Sequence, residues 1–225
     1  TWATVARFAE LGIVVGPGVF YGDAAGVGFV AGPVAIYTEL EYIESTGTQY
    51  VNTLVVPTTD VITIEMQCRF AGSDASVFSA YCGFMKSSSS TTPRLTLANY
   101  RDVLAVGVNT TNLTEFAVDN KLHTLRLVSE SSAHELYVDG SLVIRKSHPE
   151  TALSTNTLAV YLMARNVAEV ASDFMIGELC WFKMHLDGVL IRDYIPVQRL
   201  DGTVGLLDQV NNVFYPDAAG GNFIA

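Results

Sequence analysis

The chain has 225 residues, enough for one large domain whose core needs no disulfide or metal to hold it together. Hydrophobic residues make up 49% and charged residues 16%, with 18 glycines, which excludes a disordered chain and suits closely spaced strands and turns. The formal charge of −10, from 13 basic and 23 acidic residues, excludes a nucleic-acid binder: an acidic surface repels phosphate, and no basic cluster with interleaved aromatics occurs.

At the N-terminus, Trp2 to Leu11 fits a short helix or a strand, and periodicity does not decide between them. Gly12 to Val34 is apolar and punctuated by glycine and proline, with Asp23 as its only charge. Closely spaced glycines defeat a helix, and Pro17 and Pro33 interrupt a sheet interior. A free linker would be polar, so this segment gains stability only by lying against something else. It either folds back as an edge strand or serves as an arm, and the arm is the preferred reading. Residues 1–37 are therefore assigned to anchoring or oligomerisation, with Phe8, Phe20, Tyr21 and Phe29 as assembly contacts, and residues 38–225 to a single domain. No run of 18 apolar residues and no signal-peptide pattern occurs, so membrane insertion is not expected. A start at Thr1 fits both Met removal and cleavage of a precursor.

From residue 38 onward strand signals dominate. In Val61 to Phe70 the residues Ile62, Ile64, Met66, Cys68 and Phe70 alternate with Thr63, Glu65, Gln67 and Arg69, which predicts a strand with one buried face. Ser87 to Thr92 reads as a solvated loop, and Leu122 to Val128 and Leu136 to Val138 as further strands. Leu158 to Ala164 and Phe174 to Phe182 are nearly continuous apolar runs, which predicts central strands. Asp139-Gly140 and Asp187-Gly188 each stand between apolar runs and supply the positive φ angles of a two-residue hairpin; Asp201-Gly202 is a third turn. These elements predict an all-β fold, an antiparallel two-sheet β-sandwich of jelly-roll type. Cys68, Cys82 and Cys180 are odd in number and widely spaced, which fits buried thiols in a reducing cytoplasm better than disulfides or zinc.

Three stretches carry a family resemblance: LEYIESTGTQYVNT at Leu40 to Thr53, the central LHTLRLVSESSAHELYVDGSLV, and the C-terminal block from Trp181 with its RDYIP, DGTVGLLD, NNVFY and GG-NF pattern. Together they resemble the concanavalin A-like (laminin G-like) jelly-roll domains of bacteriophage structural proteins and bacterial surface proteins. The resemblance covers about residues 38–225 and leaves the N-terminal arm outside. It implies a non-enzymatic, lectin-like sandwich displayed on a virion surface, as a capsid decoration or a fibre or tail appendage, assembled in the host cytoplasm. The implied partners are other virion proteins and copies of the chain itself, a trimer being one option, and cell-surface glycans. A carbohydrate-binding module for host attachment is the alternative, and a glycoside hydrolase a remote one.

The signature residues read as architectural. Tyr42 and Ile43 begin a strand and Gly47 permits a turn; Pro196 stops sheet pairing, Gly205 to Asp208 and Asn211-Asn212 make turns, and Gly220, Gly221 and Phe223 close the last strand. Arg192 with Asp193 or Asp208 is expected to form a buried bidentate pair tying the C-terminal loop. Catalytic carboxylates on one strand face would need alternating spacing; Glu39, Glu41 and Glu44 come nearest and fit an exposed edge. His123, His134, His148 and His185 are scattered, and no nucleophile elbow or phosphate loop occurs. Some domains of the resembled group bind calcium or sugars at the sandwich rim. Asp74, Asp102, Asp119 and Asp173 are candidate calcium ligands but form no compact set, so no cofactor is expected. Tyr81, Tyr100 and Tyr161 are candidate sugar-stacking residues, with core packing preferred for each. The glycosylation patterns at Asn109 and Asn112 read as a polar loop.

Overall fold

A computed structural model of the chain describes residues 13–15, 36–70, 78–87, 93–109, 112–148 and 152–225, and no helix occurs among them. Strands are numbered along the chain. The larger sheet runs in the order β1 (Ile13–Val15), β2 (Ile36–Glu39), β17 (Val189–Arg199), β16 (Ile176–Leu186), β5 (Ile62–Phe70), β10 (Leu122–Ser129), β11 (Ala133–Val138), β12 (Ser141–Ser147). Strand β3 (Ile43–Thr46) joins β16, while β18 (Val204–Asp208) joins β17 and carries β19 (Val213–Pro216). The second sheet runs β15 (Val170–Ser172), β14 (Arg165–Val167), β6 (Phe78–Met85), β7 (Arg94–Tyr100), β8 (Val103–Val108), β9 (Asn112–Ala117). In that sheet β13 (Tyr161–Leu162) links β6 to β4 (Val51–Asn52). Pairing is antiparallel throughout the described residues except between β14 and β6.

The two sheets share one core because each strand sends alternate residues inward. In β5 the predicted face is buried, with Ile62 and Ile64 fully so, while Thr63, Glu65, Gln67 and Arg69 turn outward. Leu125 and Leu127 of β10, Leu136 and Val138 of β11, and Phe182 and Met184 of β16 meet Cys82, Phe84, Leu95, Leu97, Leu104 and Val106 from the opposite sheet. The hairpin turns at Asp139-Gly140 and Asp187-Gly188 have positive φ at both positions (49° and 79°, 50° and 78°), the geometry that matches strand twist.

Four local expectations differ from what is found. Leu158 to Ala164 holds only the two-residue β13; Met163 at φ 60° breaks the extended run, and Val160 instead bonds Thr53 and Val55 through its backbone. Pro196 lies inside β17 opposite Leu206, and its carbonyl still accepts from Leu40 N at 3.0 Å, so pairing continues to Arg199. Gly205 to Asp208 is not a turn but part of β18; a Cβ at Gly205 would come within 2.4 Å of the Tyr215 carbonyl, so glycine serves close strand packing there. Asn112-Leu113-Thr114 lies in β9, with Thr114 buried, rather than in a loop.

Of the N-terminal segment, Ile13–Val15 pairs with β2 in antiparallel register, and β2 itself crosses the boundary placed at residue 38. Phe8, Phe20, Tyr21 and Phe29 lie outside the described residues, as do Asp74 and most of the loop predicted at Ser87 to Thr92.

Candidate functional site

A β-bulge lies at the site. Leu179 and Phe182 of β16 both point into the core although they are three residues apart, which strict alternation forbids. The register against β5 shifts between Leu179 and Trp181, so Cys180 is the extra residue: Leu179 opposes Cys68, and Trp181 opposes Gln67. Past the bulge, Trp181 and Lys183 lie on the outer face of the larger sheet, while Phe182 and Met184 stay inside.

On that outer face lies a cleft of about 470 Å³, within the range of small-ligand sites. Its lining combines Trp181, Ile195 and Pro196 with Gln67, Gln209, Lys183, Asp193, Glu39 and Glu41. Four strands and two loops position these groups. Gln67 comes from the outward face of β5, Asp193 and Ile195 from β17, and Glu39 from the end of β2, where it registers with Val197. Leu40 N bonds Pro196 O at 3.0 Å, which fixes the Glu39–Glu41 wall, and Gln209 N bonds Asp193 O at 2.7 Å. Lys183 Nζ donates to Asp193 Oδ2 at 3.1 Å. Glu39 and Glu41 are exposed and enter no ion pair among the described residues. The Cys180 thiol at the bulge has its pKa raised by burial, then by the neighbouring Glu178 and Glu41 carboxylates, so it stays protonated. An aromatic surface beside amides and carboxylates can bind a polar molecule that also has an apolar face.

The structure disposes the other sequence-singled residues as follows. Arg192 spends its fork on a backbone carbonyl: Nε and Nη2 donate to Thr53 O at 3.2 and 3.0 Å. Its contact with Asp208 is a single one, Nε to Oδ2 at 3.5 Å, and Asp193 faces the cleft instead. The fully buried Asp208 carboxylate accepts from Asp193 N, Val210 N and Asn211 Nδ2, which makes it the organiser of the β18–β19 turn. Asp173 pairs with Arg165 at 2.5 Å, Asp102 occupies a turn at φ 60°, and Asp119 binds Lys121 and His123. No cluster of three or more candidate metal ligands occurs among the described residues. Tyr81 and Tyr161 are buried in the core, while Tyr100 lies half-buried against Phe78 with its rings 5.7 Å apart.

His123 is held between two carboxylates, Nδ1 to Asp139 at 2.7 Å and Nε2 to Asp119 at 2.8 Å. Burial alone would lower its pKa, but the two carboxylates outweigh that and raise it. The space beneath it, about 10 Å³, has room for one water at most. Of the cleft residues, the sequence places Gln67 on an outward strand face, offers Glu39 and Glu41 only as carboxylates of an exposed edge and Asp193 only as a partner of Arg192, and singles out neither Trp181 nor Gln209. The signal was the Leu179-x-x-Phe182 spacing, which is readable as a bulge only once both ends are known to be buried.

No protein-family model and no curated protein matches the chain. Solved structures do match its fold. The CBM40 module of Ruminococcus gnavus IT-sialidase, bound to α2,3-sialyllactose, aligns at 13% identity and a TM-score of 0.51, over 65% of this chain and 90% of that one. A candidate carbohydrate binding protein from Bacteroides ovatus aligns at 10% identity and a TM-score of 0.60, over 80% of this chain and 58% of that one. Domains LG4-5 of the mouse laminin α1 chain align at 16% identity and a TM-score of 0.50, over 77% and 46%. The present chain thus matches little more than half, or less, of the last two. At these identities the likeness is one of fold, and the fold is the concanavalin A-like (laminin G-like) jelly roll that the sequence resemblance implied.

Proposed function

We propose that the domain is a lectin-like binding module that takes a carbohydrate in the cleft around Trp181. The observation that carries this reading is the cleft itself, where an indole is surrounded by Gln67, Gln209, Glu39, Glu41 and Asp193. Sugars present a polar rim and an apolar ring face, and this lining complements both. That two structures of the same fold are a sialyllactose-bound module and a candidate carbohydrate binder adds support. The role is binding without catalysis and without a cofactor, so affinity should survive chelation of divalent cations. A glycan array followed by calorimetry tests it. Saturable binding that Trp181→Ala weakens about tenfold or more, with the fold intact, is expected; silence across the array from folded protein refutes the reading.

One observation favours a second role alongside the first. The segment Gly12 to Val34, with a single charge, is too apolar for a free linker. In this reading residues 1–37 attach the sandwich to other virion proteins or to copies of itself, a closed trimer being one solution, and display it on the particle exterior after assembly in the host cytoplasm. A chain lacking residues 1–35, which keeps the whole of β2, should then fold and bind sugar but fail to join particles. Normal incorporation of the truncated chain would refute the display role alone.

A further inference from the structure

Resting on the reading of the cleft as a sugar site, we infer that it selects by charge: it favours cationic amino sugars over sialic and uronic acids. The ionisable side chains that line it are Glu39, Glu41, Asp193 and Lys183, with the protonated Cys180 thiol. Lys183 and Asp193 neutralise each other at 3.1 Å, which leaves two carboxylates, Glu39 and Glu41, on one wall. Among the described residues no cation nearby is spare to answer them. On the same sheet face Arg126 pairs with Glu65 at 3.3 Å, and Arg69 with Glu178 at 3.4 Å. Gln67 and Gln209 supply only neutral amides. The net charge of the lining is therefore negative, inside a chain that is itself at −10.

A carboxylate on the ligand would meet two like charges with no guanidinium or ammonium free to pair with it, whereas an ammonium at the sugar ring would be answered by Glu39 or Glu41. Both acids are exposed, so the effect on affinity is modest and screened by salt. The sialyllactose-bound module of the same fold thus marks a shared architecture, and this cleft has the opposite charge preference to one built for an acidic sugar.

The test compares three probes by calorimetry on the full chain at mildly acidic pH: a β-linked glucosamine oligomer, its N-acetylated counterpart and 3′-sialyllactose. The expected result is binding of the amino oligomer about fivefold tighter than the acetylated one, and of sialyllactose about fivefold weaker than the acetylated one, the order two exposed ion pairs supply. The preference should vanish in Glu39→Gln/Glu41→Gln, in which the affinities for the two oligomers become equal. Equal affinity for the two oligomers, or Trp181-dependent binding of sialyllactose as tight as that of the acetylated oligomer, overturns the charge selection and leaves the sugar site standing. Amine binding that persists in Trp181→Ala reflects diffuse attraction to an acidic chain and also overturns it. Failure of every saccharide removes the sugar site as well.

Discussion

His134 is fully buried, its ring 5.8 Å from that of His148 and nearly parallel to it, and neither of its nitrogens has a hydrogen-bond partner. Burial, and then the neighbouring His148, lower its pKa from 6.5 to about 4. Above about 6.5 both folded and unfolded chains carry the ring neutral, and the stability is complete. As pH falls from there toward about 4, the unfolded chain takes up a proton that the folded chain refuses, and stability is lost, to roughly 3 kcal/mol at the limit. His123 works in the opposite sense: its raised pKa makes the stabilisation by Asp119 and Asp139 complete in acid and lost as pH rises through that value. Melting curves across pH should separate the two. His134→Leu should flatten the decline between about pH 6.5 and 4 and cost little at neutral pH. His123→Gln should destabilise at pH 6, and the difference should shrink as pH rises through the raised value.

Strand β16 shows how much one residue controls. Without Cys180 the strand would alternate perfectly, Leu179 in, Trp181 out, Phe182 in, Lys183 out, Met184 in. Deletion of Cys180 should therefore leave a folded protein with Trp181 on the same face, at a cost of about 1–2 kcal/mol from the altered twist. Deletion of Lys183 should instead push Met184 outward and His185 inward, and yield insoluble protein. Expression, circular dichroism and thermal melts of the two deletions distinguish these outcomes. The same bulge explains why the strand was legible and the site was not. FMIGELCWF reads as a continuous apolar strand because the extra residue destroys the period of two that would have marked Trp181 as outward. Strand β5, which has no bulge of its own, shows its faces from sequence alone.

At the scale of the whole domain, turns and alternation sufficed to predict the sandwich, because glycine-containing hairpins and half-buried strands are local signals. The clasps that close it depend on partners more than a hundred residues apart, which no spacing reveals. Asp217, buried in the C-terminal block, accepts Tyr50 N at 3.0 Å along with Ala219 N and Gly221 N. Ile224 then pairs through its backbone with Glu44, and Phe223 enters the core. Asp217→Ala should strip three N–H donors of their acceptor and lower stability by about 2–4 kcal/mol, read from chemical denaturation. An unchanged midpoint would show the clasp to be decorative.

The bridge between Glu44 and Ile224 also brings the end of the last described segment beside the first strands of the sandwich. The last described residues thus return to β3, a few residues beyond β2. A linker could join residue 225 to the start of β2, and new ends could be cut at the exposed Asp139-Gly140 hairpin on the opposite branch of the sheet. Circular permutation of this kind would free the cleft wall at Glu39 from whatever precedes it, and would let the sandwich be inserted as a cassette into a loop of another protein.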